Sequence, residues 1–272
     1  MSTPTGYLSN YAGDWILDRI LIHGGGTRHL GLLAAGANDH TPGAELTSSG
    51  QRAVCTWSPP SNQTSGLIQA ARFVTTPSSG TAAWWGVYGP QPALNAVIRI
   101  TSAVGTPTTI ALSGGPLVVP AGELVMGPNF GPANPSGYVV NDAYAQDLLE
   151  NLLESSVTGA SYLALHSEEP TRLGNPGSEF AGNDYARQPV TWTPSGARAM
   201  ALSAQVDFED LPNSELRWFG VWDAPAGSGP SAHLLAAIPR YTALPGPQTL
   251  DPLVVTTQQT LSVPAGDLVL TI

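Results

Sequence analysis

The sequence contains no lysine. Its ten basic residues are all arginine, set against twenty acids for a formal net charge of −10. Phosphate backbones are bound by clustered Lys and Arg, so nucleic acid is excluded as an expected partner. Cysteine is almost missing too: Cys55 stands alone, which rules out an intrachain disulfide and a thiolate-rich metal site. Charged residues make up 11% of the 272 positions, against roughly 25% in typical soluble domains. No run of eighteen apolar residues occurs, so no membrane-spanning helix is expected. The opening Met1-Ser2-Thr3-Pro4-Thr5-Gly6 lacks the basic and apolar regions of a signal peptide. The chain is therefore expected to be made in a cytoplasm and to stay soluble until it meets a partner. Catalytic signatures are lacking as well, with no G-x-S-x-G elbow, H-E-x-x-H, Walker loop or strand-linked G-x-G-x-x-G. The expectation is a protein without cofactor, metal or enzymatic activity.

What the chain does have is internal repetition. Trp84-Trp85-Gly86-Val87-Tyr88 recurs as Trp218-Phe219-Gly220-Val221-Trp222. Thr41-Pro42-Gly43-Ala44-Glu45 matches Asn175-Pro176-Gly177-Ser178-Glu179, and Arg52 precedes Thr56-Trp57 as Arg187 precedes Thr191-Trp192. Val119-Pro120-Ala121-Gly122-Glu123-Leu124-Val125 recurs as Val263-Pro264-Ala265-Gly266-Asp267-Leu268-Val269. The matches keep their order, at an offset of 134 or 135 that grows to 144 in the last block. A tandem domain duplication is expected. The stretch 127–137 holds three prolines and three glycines, a composition that suits neither helix nor central strand. The expected division is an N-terminal arm over 1–11, a first β domain over 12–126, a linker over 127–137 and a second β domain over 138–272. Five acids and five arginines leave the first half neutral, so fifteen acids against five arginines give the second half the whole −10.

Each half reads as one short helix followed by sheet. Trp15, Ile16, Ile20 and Leu21 form one apolar helical face, and Leu148, Leu149, Leu152 and Leu153 form its counterpart, capped by Asn141 or Asp142 and stopped at Thr158-Gly159. Short β-rich runs follow at 30–35, 53–57, 67–75, 82–88, 96–101 and 123–126, with counterparts at 162–166, 190–193, 199–208, 217–222, 233–238 and 267–272. Turn residues separate them at short intervals, which predicts mainly-β antiparallel domains of sandwich or barrel type.

Candidate functional residues divide into two kinds. Arg52 and Arg187, each before a strand, are expected to anchor a carboxylate or backbone carbonyls, with Glu45 and Glu179 as candidate partners. Trp57, Trp192, Gly86 and Gly220 are expected to serve the fold, the glycines through close backbone approach or a bulge. Trp85, Tyr88 and Trp222 fall on either strand face. They are candidates for stacking on a host glycan, with core packing as the alternative. The polar stretch 166–184, with Glu168, Glu169, Asn175, Glu179, Asn183 and Asp184, carries oxygen ligands suited to Ca²⁺, or is a solvated loop. His166 aligns with Ala34 or Ala35 of the first half.

One stretch carries a resemblance. Tyr162-Leu163-Ala164-Leu165-His166-Ser167-Glu168-Glu169-Pro170, then Gly174-Asn175 and Glu179, then Tyr185-Ala186-Arg187-Gln188-Pro189-Val190-Thr191-Trp192, resembles a module of tailed-phage virion proteins. These are called minor tail or tail-fibre proteins, and in some cases head-fibre or capsid-decoration proteins. The first half departs from the pattern: it lacks the His-Ser-x-x-Pro segment, and no Tyr precedes Arg52. The resemblance implies a non-enzymatic virion structural protein whose partners are other virion subunits, with a tail position favoured and the capsid surface as the alternative. A duplicated domain suits quasi-equivalent packing, and a homotrimer would set six domains around a threefold axis. A glycan-binding module at the host surface is a further alternative.

Overall fold

The computed structural model describes residues 7–23, 27–38, 41–89, 94–100, 107–126, 138–140, 142–154, 161–171, 178–182, 185–196, 198–226, 232–240, 252–256 and 259–271. The linker expected at 127–137 lies outside them, as do Asn175, Asn183 and Asp184 of the polar stretch and the expected helix stop at Thr158-Gly159. The chain divides into two compact units. The N-terminal unit is Asp14–Tyr144, and the C-terminal unit joins Met1–Gly13 to Ala145–Ile272.

The first helix, Asn10–Leu21, begins where Ser9 accepts the Ala12 N–H on its hydroxyl (3.1 Å), an N-cap that satisfies one of the orphan donors of the first turn. Ile16, Leu17, Ile20 and Leu21 are buried, the i, i+1, i+4, i+5 set that a 3.6-residue repeat places on one side. Leu17 takes the place expected for Trp15, which is only half-buried under the Arg19 guanidinium, 4.8 Å from its ring. The helix ends on a side chain: buried Arg28 donates from Nε to the Ile20 carbonyl (2.8 Å) and from Nη2 to that of His23 (2.7 Å). The second helix, Asp142–Glu154, buries Leu148, Leu149, Leu152 and Leu153 and exposes Asp147 and Glu154.

The sheets are antiparallel, and among the described residues none closes into a barrel. In the N-terminal unit the strands Tyr138–Val140, Leu94–Arg99, Thr81–Tyr88, Arg28–Asn38 and Thr41–Glu45 lie side by side in that order, and Ala53–Cys55 also pairs with Arg28–Asn38. In the C-terminal unit the order is Tyr7–Leu8, Leu234–Pro239, Trp218–Trp222, Ser161–His166 and Gln188–Val190. The registers repeat from unit to unit. Gly86 lies between Gly31 and Val97, and Gly220 lies between Ala164 and Ala237. Trp57 faces Leu67 as Trp192 faces Leu202. Ala71–Phe73 pairs with Leu117–Val119 as Val206–Phe208 pairs with Leu261–Val263. The runs expected as single strands at 67–75 and 199–208 are each interrupted, at 68–70 and at 203–205, so the strand on either side pairs with a different partner.

Several strands were not legible in the sequence, among them Thr41–Glu45, Leu117–Val119, Leu253–Val255 and Leu261–Val263, and two more of those missed lie at sheet edges. Tyr7–Leu8, inside the expected arm, pairs with Ala237 and Ala236, and Tyr138–Val140 pairs with Ile98, Val97 and Ala96. Each precedes a helix in the chain, and each covers the edge of a strand with a buried interior, Leu234–Pro239 in one unit and Leu94–Arg99 in the other. An uncovered edge of that kind is a template for unwanted pairing. The first of these strands is pinned by Ser9, whose N–H donates to the Leu235 carbonyl (3.0 Å) and whose hydroxyl donates to that of Leu234. Tyr11 then stacks on His233, with ring centroids 3.9 Å apart. Ser9→Ala removes both the helix cap and the tie to Leu234. A loss of about 1–2 kcal/mol is expected in denaturant unfolding, and an unchanged midpoint would show that neither bond contributes.

Candidate functional site

The residues singled out by the sequence converge on one buried arrangement in each unit. In the C-terminal unit, Arg187 forks onto Glu179, with Nε to Oε1 at 2.8 Å and Nη2 to Oε2 at 2.7 Å, while Nη1 donates to the Ala224 carbonyl at 3.0 Å. Its guanidinium lies 3.9 Å above the Trp222 ring. In the N-terminal unit, Arg52 forks onto Glu45 at 2.8 Å for both bonds and lies 3.4 Å above the Tyr88 ring. A planar guanidinium is the cation that can pair bidentately at its edge and stack on a π-face at once.

A third group completes each arrangement, supplied from a different place in the chain. The Leu165 N–H donates to the Tyr185 hydroxyl (2.9 Å), which donates to Glu179 Oε1 (3.3 Å). In the other unit the Leu32 N–H donates to the Thr47 hydroxyl (3.1 Å), which donates to Glu45 Oε1 (3.0 Å). The tyrosine missing before Arg52 thus has a functional substitute two residues after Glu45. Sequence reasoning missed Thr47 because the hydroxyl comes from a different position relative to Arg52 and on a side chain of different length.

The glycines explain themselves by what lies above them. A Cβ on Gly220 would stand 2.5 Å from His166 Nε2 and 2.7 Å from Trp222 Nε1, and one on Gly86 would stand 2.7 Å from both Leu33 Cδ1 and Tyr88 Cε2. Only a residue without Cβ allows that approach. A register irregularity follows each glycine, at Val221/Trp222 and at Val87/Tyr88. The registers also correct the expected alignment of His166: it faces Trp218 as Leu33 faces Trp84. The counterpart of His166 is therefore Leu33, not Ala34 or Ala35.

His166 is fully buried. The Trp222 indole N–H reaches toward its Nε2 (3.4 Å), and its Nδ1 lies 3.2 Å from the Ser178 hydroxyl, which donates to the Glu168 carbonyl (3.0 Å). This set of partners is satisfied by the neutral Nδ1–H tautomer. Burial, with the Arg187 charge nearby, pushes the imidazole down to about 3. Around the other pair, burial pushes the Glu45 carboxyl up, but hydrogen bonds from Arg52, Thr47 and Tyr88 outweigh it and hold the group below its usual value. Burial and the neighbouring carboxylates push the Tyr88 and Tyr185 phenols up.

The hydrogen bonds named here run between groups of the protein itself, and they tie strand to strand within each unit. Trp85, Tyr88 and Trp222, candidates for a glycan platform, are buried in the core. Of the two placements open for them, the structure has the core one: Trp85 packs on Phe73, and the other two lie under the arginines. Trp57 is buried, whereas Trp192 is half-buried and donates from its indole N–H to Ser161 (2.8 Å). Among the described residues no group of three or more His, Cys, Asp or Glu side chains is placed to hold a metal. Cys55 is buried, and desolvation raises its thiol to about 11.

Fold and site together define a mainly-β protein whose sequence motif is the interior of a domain. Residues 140–271 match the protein-family model described as Podophage GP4 fiber I protein gp80. The match takes in His166, Glu179, Tyr185, Arg187, Gly220 and Trp222, and it supports a phage virion protein of fibre type. No curated protein and no solved structure matches the chain.

Two outcomes are expected. Removing one partner of a buried ion pair strands the other, so Arg187→Ala should cost about 3–5 kcal/mol. Arg52→Ala should cost less, because that pair is more exposed: Glu45 retains 24% of its side-chain surface against 10% for Glu179. Equal losses in urea titrations would contradict this ordering. Between pH 6.5 and about 3 the unfolded chain binds a proton at His166 that the folded chain refuses. Its contribution is intact above pH 6.5 and declines as pH falls, by up to about 1.4 kcal/mol per pH unit. His166→Leu, which installs the residue found at the equivalent position of the other unit, should flatten stability between pH 7 and 5. An unaltered slope would refute the assignment.

Proposed function

We propose that the chain is a non-enzymatic structural component of a tailed-phage virion, built by tandem duplication of a fibre-type domain and acting as a minor tail protein through subunit–subunit contacts. The observation that carries this reading is the family match over residues 140–271, joined to a motif whose polar residues are spent on internal pairs. The repeated registers support the duplication, since Gly31, Leu33, Trp57, Gly86 and Arg52 have counterparts in Ala164, His166, Trp192, Gly220 and Arg187. The chain's other virion contacts, and a homotrimer setting six domains around an axis, belong to the same proposal. With Trp85, Tyr88 and Trp222 in the core, a host-glycan role would need other side chains.

Electron microscopy of purified particles labelled with an antibody to this chain tests the position. Label on the tail is expected. Label confined to the head would replace the tail reading with capsid decoration, and particles free of the chain would end the virion reading. Static light scattering should give a trimeric mass that rises toward completion with added salt, because the acids of the second half repel at low ionic strength. A monomeric mass at every salt concentration would remove the trimer.

A further inference from the structure

The N-terminal unit carries an outward sheet face unlike anything on the other unit. Val54, Ile68, Val74, Val118 and Val125 are 45% to 83% exposed. Only Tyr11 and Val254 join them as exposed large hydrophobics among the described residues. The five share a side. Val54 lies between buried Ala53 and Cys55, Arg72 lies between buried Ala71 and Phe73, and Val118 sits directly opposite Arg72. Val74 follows Arg72 by two residues, Val125 faces Gly66, and Ile68 follows Gly66 by two. The result is an apolar field around one arginine, Arg72.

The repeated registers supply an internal control. The pairing of Val206–Phe208 with Leu261–Val263 makes Asp207 the counterpart of Arg72, Ser262 that of Val118 and Glu209 that of Val74. The pairing of Trp192 with Leu202 makes Ser203 the counterpart of Ile68 and Pro189 that of Val54. All five of these positions are exposed. Asp207 there accepts a hydrogen bond from Gln205 (2.9 Å) instead of facing an aliphatic neighbour. At these positions the C-terminal unit carries Glu209, Ser262, Ser203 and Pro189 where the N-terminal unit carries Val74, Val118, Ile68 and Val54, while Val125 has a valine, Val269, as its counterpart. Contiguous exposed aliphatic surface ringed by polar residues marks an interaction site, and the centres of protein interfaces favour arginine while excluding other charges.

We infer that this face of the N-terminal unit docks a second, different structural subunit of the particle, one presenting apolar side chains around a carboxylate that meets Arg72. The inference rests on the virion reading above. Charge selects the occupant. Two such faces pressed together would set Arg72 against Arg72, and the equivalent face of the C-terminal unit has a carboxylate but no aliphatic field to match.

The test uses the full chain in phage. Val118→Asp and Arg72→Glu, both exposed and remote from the buried pairs, are compared with Ser262→Asp at the equivalent site of the other unit. Val118→Asp and Arg72→Glu should keep the wild-type thermal midpoint, Ser262→Asp should lower it slightly by setting a carboxylate opposite Asp207, and all three should keep the wild-type solution mass. In purified particles the first two should be depleted about tenfold relative to wild type, the effect of ~1.4 kcal/mol, and Ser262→Asp should incorporate normally. Normal incorporation of both face variants would overturn the docking inference and leave the virion reading standing. Absence of the wild-type chain from particles would overturn both. A purified wild-type oligomer that Val118→Asp and Arg72→Glu each dissociate would replace the foreign subunit with a second copy and so overturn the inference as stated.

Discussion

The constraint on which the rest depends is the guanidinium–carboxylate pair in each unit, buried in the C-terminal one and part-buried in the N-terminal one. Such a pair is costly to desolvate and is tolerated only where the geometry is good and the remaining donors and lone pairs are occupied. Here the occupation is close to complete. One edge of Arg187 is taken by Glu179 and one nitrogen by the Ala224 carbonyl, its face lies on Trp222, and Glu179 receives a further bond through Tyr185. That set of bonds fixes where four separate pieces of chain must lie: the segment bearing Glu179, the approach to the strand bearing Arg187, the strand of Leu165 and the strand of Trp222. In a chain with only 11% charged residues, these two pairs register strands distant in sequence.

The pairs also set what their surroundings can be. An aromatic ring lying flat under a guanidinium crosses the adjacent strand position, and that position is glycine in both units. With Tyr88 as the ring, the remaining space above the glycine is filled by Leu33; with Trp222, it is filled by His166. The larger indole brings an N–H that needs an acceptor, and a leucine has none to offer, whereas imidazole does. The histidine that stands out in the sequence is thus explained by the exchange of tyrosine for tryptophan on the neighbouring strand. It needs no chemistry beyond that. Its other nitrogen then requires a partner, and Ser178 supplies one.

How much of this was legible follows from which interactions are local. The repeat, the helical leucines, the central strands and the candidate pairing of Arg187 with Glu179 could be read from spacing and composition, because each leaves a run of residues with a period or a matching offset. Tyr7–Leu8 left no such mark: a strand of two residues has no period, and its partner Leu234–Pro239 lies more than two hundred positions away. Thr47 was invisible for a related reason, since its role is defined by a hydroxyl's place in space and not by its position in a motif. The aromatic residues were ambiguous because alternation assigns a face without saying which face is covered, and on strands buried on both sides it says nothing. Trp85 and Trp222 lie on such strands.

The two units differ least where they are buried and most where they face outward. Inside, a substitution must be answered at once by its neighbours, as His166 answers Trp222 and as Tyr185 and Thr47 answer the same carboxylate oxygen from different points of the chain. Such coupled replacements keep the strand registers unchanged. Outside, no neighbour within the unit demands an answer, so Arg72 can stand where the other unit has Asp207, and Val118 where it has Ser262, with the cross-strand pairing undisturbed. The charge reversal and the exchange of serine for valine replace the hydrogen bonds that Asp207 receives in the other unit by an arginine beside an aliphatic neighbour, and leave the register as it was. The interior thus carries the shared fold, and the outward face is where one half of the chain becomes different in kind from the other.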